Sequence, residues 1–328
     1  MTSSETVRAV YPERMRAVTI VDGDLRWDHH PDPEPGPHEL LVAVRAAGLN
    51  GADMMQRAGF YPAPPGYPQD IPGMEFAGEV VGTGSEVRRL GIGDRVMALT
   101  GGGAQAELVV VDEGSAIDVP ENVPWEEAGG FPEVFTTAHD ALFTQVGLTA
   151  GERVLVTGAA GGVGTAGVQL AHAAGAYVVA SARRPELHEQ LRELGADEVI
   201  VPDQTAEGGP YDVVLELVGG PSVPDGLAAL ASGGRIAVIG IGAGRRADLD
   251  LSALMYKQAR ISASTMRGRT LEHKAQVART MEQAVLPLLA EERIRVPLAA
   301  IYPMRDPTAG YDRFAQGAKL GKIALVTN

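Results

Sequence analysis

RVLVTGAAGGVGTAGVQLAHAAGAYVVASARR, residues 153–184, decides the fold. Val154, Leu155 and Val156 form the short apolar run of a buried strand. Gly158, Gly161, Gly162 and Gly164 follow at once. Val163, Val168, Leu170 and the alanine-rich 171–174 then predict a tightly packed helix, and 177–181 a second buried strand. Strand, glycine turn, helix and strand make a βαβ unit of about 30 residues, the context in which a glycine motif marks a dinucleotide site. On its own such a triplet would mark only a tight turn. Within this unit, glycines let the backbone approach a pyrophosphate whose charge rests at the positive N-terminus of the helix. Gly158, Ala160, Gly161, Gly162, Val163 and Gly164 are therefore expected against the cofactor.

The end of the second strand decides which nucleotide. A site for NAD usually carries Asp or Glu there, accepting hydrogen bonds from the ribose hydroxyls. This chain reads Ser181-Ala182-Arg183-Arg184, and its first acid is Glu186, beyond Pro185. Two guanidiniums pair with a 2′-phosphate through charge-assisted, fork-like contacts. As solvated charges at a helix start they would be poorly placed. The expected cofactor is NADPH, with Ser181, Arg183 and Arg184 at its adenosine end.

Composition excludes several classes. The 328 residues suffice for two domains. With 45% hydrophobic and 21% charged residues the chain is globular. A net charge of -14 argues against nucleic acid or an anionic membrane as partner. No apolar run reaches transmembrane length, and the start MTSSETVRAVYPERMR lacks a signal-peptide core, so the expected compartment is the cytoplasm. There is no cysteine, which removes disulfides, thiolate catalysis and thiolate zinc sites.

Residues 1–14 read as a loosely held leader. Short strand-like pieces follow at 17–20, 40–44, 75–84, 94–99 and 106–111, separated by Gly/Pro turns, and predict a β-rich, barrel-like region. Residues 120–132 read as a boundary and 133–143 as a linking helix. From Gly151 the texture becomes alternating strands (154–157, 177–181, 198–201, 213–217, 235–239, 261–264) and helices, an α/β pattern that suits a doubly wound parallel sheet. A long amphipathic helix, 271–292 with a bend at Pro287, leads to a helix at 307–316 and a last strand at 323–326. That tail is expected to return to the first domain rather than extend the parallel sheet.

Thr157-Gly158-Ala159-Ala160-Gly161-Gly162-Val163-Gly164 also fits the TGxxxGxG loop of short-chain dehydrogenases. The loop lies mid-chain, however, and none of Tyr177, Tyr211, Tyr256, Tyr302 or Tyr311 has Lys four positions on. The chain instead resembles the medium-chain dehydrogenase/reductase superfamily, in its zinc-independent quinone oxidoreductase branch, from Met15 to the end. The resemblance rests on GLNGADMMQRAGFYPAPPG (48–66), PGMEFAGEVVGTGSEV (72–87), GDRVMAL (93–99), PEVFTTAHDAL (132–142), GAAGGVGTAGVQLA (158–171) and LGKIAL (320–325). It implies a GroES-like β-rich catalytic domain (1–125), a Rossmann NADPH-binding domain (126–266) and a return to the catalytic domain (267–328). It further implies an active site in the cleft between them and a homodimer.

The departures from zinc-dependent members are chemical. Asn50 stands where their first ligand is Cys, and Gly73-Met74-Glu75 replaces their Gly-His-Glu, so a thioether replaces an imidazole. The four-cysteine structural zinc lobe is missing, and the seven histidines are scattered. A catalytic zinc needs three convergent protein ligands, so no metal site is expected. Without a metal the protein must place an acceptor beside the nicotinamide and stabilise the electrons it receives. The expected reaction is hydride transfer from NADPH to a quinone or similar enone. The alternatives are a 2-enoyl thioester (enoyl-CoA) reductase and a catalytically weak nucleotide-binding sensor.

By resemblance, Asn50 matches an active-site amide that could donate to a carbonyl oxygen. Tyr61 matches a cleft tyrosine proposed as proton donor in enoyl reductases. From the residues alone, Asn50 could equally stabilise a turn and Tyr61 could merely pack. Thr137 matches a residue near the nicotinamide ribose or amide, and Lys322 a basic residue near the cofactor, though Lys322 could equally be a solubilising charge on an edge strand. Val201-Pro202 stands where relatives often place a tyrosine beside the adenosine phosphate. Gly240 and Ile241, after the fifth strand, and Val218, after the fourth, lie at the strand ends where such sheets bind ligands.

Overall fold

The computed structural model describes residues 14–327. The leader expected at 1–14 therefore lies outside the described residues, except for Arg14. The chain forms two compact units. One takes the chain up to Glu133, Met266–Gly317 and the segment from Lys322 onward; the other takes Val134–Thr265 and Ala318–Gly321. The family resemblance placed the divisions after 125 and 266.

In the first unit, β1 (Arg14–Val21) and β2 (Asp24–Pro31) form an antiparallel hairpin. Its turn, Asp22-Gly23, has φ +52 and +85°, the two left-handed residues that match strand twist. β3 (Glu39–Gly48), β4 (Glu75–Thr83), β5 (Arg95–Leu99), β6 (Leu108–Asp112) and β7 (Ala116–Asp118) follow. α1 (Gly51–Arg57) lies between β3 and β4, and α2 (Pro132–His139) leads into the second unit.

The second unit carries β8 (Arg153–Val156), α3 (Gly162–Ala173), β9 (Tyr177–Ser181), β10 (Glu198–Ile200), β11 (Tyr211–Glu216), β12 (Leu230–Val238) and β13 (Arg260–Ala263). All six strands are parallel, in the order β10-β9-β8-β11-β12-β13. This is the doubly wound sheet expected, with its order reversing at β8. Leu155, Val179, Val214 and Ile236 fill its core.

The chain then returns to the first unit through α4 (Leu271–Ala284), β14 (Leu298–Pro303) and β15 (Lys322–Val326). Thr270 caps α4, its hydroxyl accepting from the His273 amide at 3.3 Å. The single helix expected over 271–292 is broken at Val285, with a second short helix at Leu286–Ala290. Pro287 sits inside that second piece and could not have continued the first. β15 pairs antiparallel with β3, so the tail returns as expected. The seven-stranded sheet runs β14-β15-β3-β4-β5-β7, with β6 also on β3. Val42, Val44, Phe76, Val80, Val96, Ile323 and Leu325 are its buried core.

Candidate active site

In the second unit the glycine turn leaves β8 at its C-terminal end. Gly158 takes φ +57°, and Gly161 is the N-cap of α3, with no side chain capping the first turn. Gly162, Val163 and Gly164 form that turn, so the helix presents its N-terminus unblocked. The Ala160 carbonyl accepts from the Gly321 amide at 2.9 Å. Ser181, buried, accepts through its carbonyl from the Ala159 amide at 3.0 Å, which ties the turn to the end of β9. Just beyond, Arg183 and Arg184 are exposed, and neither guanidinium has an ion-pair partner among the described residues.

On the other side of β8, Glu216 ends β11 fully buried. One carboxylate oxygen accepts from the amides of Val218 at 2.7 Å and Gly219 at 2.9 Å. Its carbonyl accepts from Gly240 at 3.1 Å, so Val218 and the Gly240-Ile241 segment are held around one residue. The other carboxylate oxygen of Glu216 is buried without a hydrogen-bond partner, and so is the Thr137 hydroxyl on α2. Buried polar atoms without partners are rare in native proteins and call for one. An open helix N-terminus, two unpaired guanidiniums and an orphaned hydroxyl fit the phosphate and polar groups of a dinucleotide.

In the first unit, β3 ends at Gly48 and the chain turns through Asn50 into α1. A Cβ on Gly48 would lie 2.2 Å from a Glu75 carboxylate oxygen, so only glycine fits there. Lys322, at the start of β15, is 2% exposed and Glu75 is 0% exposed. The ammonium donates to the Leu49 carbonyl at 2.8 Å, to Asn50 Oδ1 at 2.6 Å and to Glu75 Oε1 at 2.6 Å. All three of its N–H groups are used. The other Glu75 oxygen accepts from the Glu133 amide at 2.8 Å. Lys322 is thus no solubilising edge charge. Asn50 Nδ2 donates to Glu75 at 2.9 Å and to the Gly48 carbonyl at 3.4 Å, so the amide expected to reach a substrate carbonyl is turned inward.

Asp53, fully buried on α1, accepts from the amides of Asn50 at 2.8 Å and Gly73 at 3.1 Å. Burial nevertheless pushes its carboxyl up to about 6. Met74 packs its thioether among Leu99 and Met266. Among the described residues no three His, Asp or Glu side chains gather as a metal-holding group.

Tyr61 is held by a residue that sequence patterning missed. Arg267, 2% exposed, donates to the Tyr61 carbonyl at 2.9 Å, to Gly101 O at 2.7 Å and to Gln56 Oε1 at 2.5 Å. Its guanidinium stands 5.0 Å over the Tyr61 ring. Burial pushes the phenol pKa up, with Arg267 partly opposing it, so the hydroxyl keeps its proton at neutral pH. Arg267 lies in a Met-Arg-Gly-Arg stretch before α4, where nothing in the local pattern distinguishes it from a solvated charge.

The sheet order and glycine turn define a Rossmann-type nucleotide-binding fold, and the family comparisons make it a dehydrogenase/reductase, which implies a nicotinamide cofactor. Residues 36–121 match the alcohol dehydrogenase GroES-like domain, and residues 162–289 match the zinc-binding dehydrogenase family. Quinone oxidoreductase-like protein 2 of Bos taurus is 30% identical over 300 residues, 88% of this chain and 85% of that protein. Polyketide synthase GfsB of Streptomyces halstedii is 33% identical over 88% of this chain, which spans only 5% of that protein. A solved quinone oxidoreductase of Pseudomonas syringae pv. Tomato DC3000 superposes with a TM-score of 0.84 at 27% identity, covering 95% of this chain and 99% of that one. The chain belongs to the medium-chain dehydrogenase/reductase superfamily, in its quinone oxidoreductase branch, and is an oxidoreductase.

Proposed function

We propose that this chain reduces a quinone or similar conjugated carbonyl with NADPH and without a metal. The observation that carries the reading is the buried ammonium of Lys322, bonded to Asn50 and Glu75. A cation already satisfies the side chains that a catalytic metal would draw on, and Met74 adds only a thioether in apolar packing. Arg183 and Arg184, exposed and unpaired at the end of β9, support NADPH over NADH. Bound NADPH supplies the hydride. The protein's part is to hold the nucleotide on the α3 N-terminus and seat it against Thr137, Val218, Gly240 and Ile241; the protonated Tyr61 hydroxyl would be required only by an acceptor that needs a placed acid. Asn50 serves from within, fixing Lys322 against Glu75.

The likeness to a stretch of a polyketide synthase favours a second reading, reduction of an enoyl thioester. One experiment separates the two: NADPH oxidation with 1,4-benzoquinone and with crotonyl-CoA, for the wild type and Tyr61→Phe. Quinone reduction yields a delocalised anion that water can protonate, so the variant should change quinone turnover only modestly. An enoyl substrate needs a placed acid, and the variant should lose about 10²–10⁴-fold on it. We expect quinone turnover to exceed enoyl turnover in the wild type; the reverse order would replace the first reading with the second.

A homodimer through the second unit fits the same reading. β13 is an edge strand of the parallel sheet, and Met255 and Tyr256, shortly before it, are 77% and 87% exposed. Among the described residues no helix is long and apolar enough to cross a membrane.

A further inference from the structure

Within the first unit lies a cavity of about 670 Å³, walled by Ile71 and Leu99 on apolar sides and by Tyr67, Arg267 and Lys274 on a polar one. Lys274 is 6% exposed, yet no carboxylate pairs with it among the described residues. Among those residues its ammonium meets only Tyr67, by a long donation of 3.4 Å to the hydroxyl and at 5.1 Å from the ring centroid. Buried lysines are almost always paired, because an ammonium out of water costs several kcal/mol. Its charged neighbour is a second cation, Arg267, whose three side-chain hydrogen bonds all go to neutral oxygens. Burial, with Arg267 adding to it, pulls the Lys274 pKa down.

None of the three acids on the cavity wall pairs with Lys274 among the described residues. Glu39 accepts from the Gly36 amide at 2.7 Å, Asp112 accepts from Gly114 at 2.9 Å, and Glu34 is exposed. The N-terminus of α4, capped by Thr270, lines the same cavity and adds a partial positive charge near Lys274. The wall as a whole carries three cations, Arg267, Arg269 and Lys274, and three carboxylates, Glu34, Glu39 and Asp112, so the unpaired positive charge is local to Lys274.

We infer that this cavity is a subsite for an organic carboxylate, whose acidic group meets Lys274 and whose apolar body lies against Ile71 and Leu99. The site stands on this cavity alone, so it survives if quinone reduction does not, and the reverse also holds. An acceptor substrate carrying a carboxylate would be its natural occupant.

Calorimetric titration of the full chain with benzoate, and with benzyl alcohol as the neutral counterpart, tests it. Benzoate should bind the wild type and lose about tenfold in affinity for Lys274→Met, with Lys274→Arg recovering most of the loss. Benzyl alcohol should be indifferent to both changes. Equal benzoate binding to wild type and Lys274→Met, or none at millimolar concentration, overturns the assignment. Should Lys274→Met fail to fold, wild-type crystals soaked with 4-bromobenzoate decide. Anomalous bromine signal in this cavity supports the site, and its absence there refutes it.

Discussion

Lys322 and Glu75 stand 247 positions apart and pair at 2.6 Å in the interior. Breaking such a buried pair costs about 3–5 kcal/mol, because the remaining charge is left unpaired. Asp53 shows the same cost differently, since burial outweighs two amide donors and lifts its carboxyl from 3.8 to about 6. Between about pH 4 and 6 the folded state therefore holds a proton that the unfolded chain has released. Stability falls as pH rises through that window, by about 3 kcal/mol for two units at about 1.4 kcal/mol each. Asp53→Asn removes this dependence, so variant stability relative to wild type should improve by that amount from pH 4 to 7. Urea melts at four pH values check it; a difference that stays constant with pH would contradict the burial argument. None of this coupling was legible in the sequence. Gly73-Met74-Glu75 and Leu320-Gly321-Lys322-Ile323 are readable singly, but no periodicity says that they meet.

Elements were legible where their pattern was strong. The parallel strands of the second unit announce themselves by β-branched runs buried on both faces, and their helices by alanine and glycine packing. β2 was missed because DLRWDHHP is polar and ends in proline, half-exposed beside a single partner. β14 was missed because LAAIYP is alanine-rich and exposes Ile301 at the sheet's edge. The end of β9 carries the cofactor prediction. Replacing Arg183 and Arg184 together with Ala should weaken NADPH binding by about 2–4 kcal/mol while NADH changes little, because only NADPH carries the 2′-phosphate. Titration of both nucleotides measures it. Equal losses would mean that the arginines do not read the phosphate.

At the scale of the whole molecule, the chain is two units, and it re-enters the first at Met266 and again at Lys322. The nucleotide features, Gly158 through Arg184, lie in one sequence block within the second unit and could be read directly. The proposed acceptor side, Asn50, Tyr61, Glu75, Arg267 and Lys322, is gathered in the first unit from its opening and closing segments. Sequence resemblance found Asn50, Tyr61 and Lys322, but not that Lys322 would be buried as a fixed cation. The central proposal is hydride delivery from NADPH to a conjugated carbonyl without a metal. Its most direct test is the rate of NADPH consumption with 1,4-benzoquinone after EDTA treatment and dialysis, with zinc content measured on the same sample. The account predicts undiminished turnover in protein free of stoichiometric zinc. Loss of turnover on chelation, restored by added zinc, would contradict it.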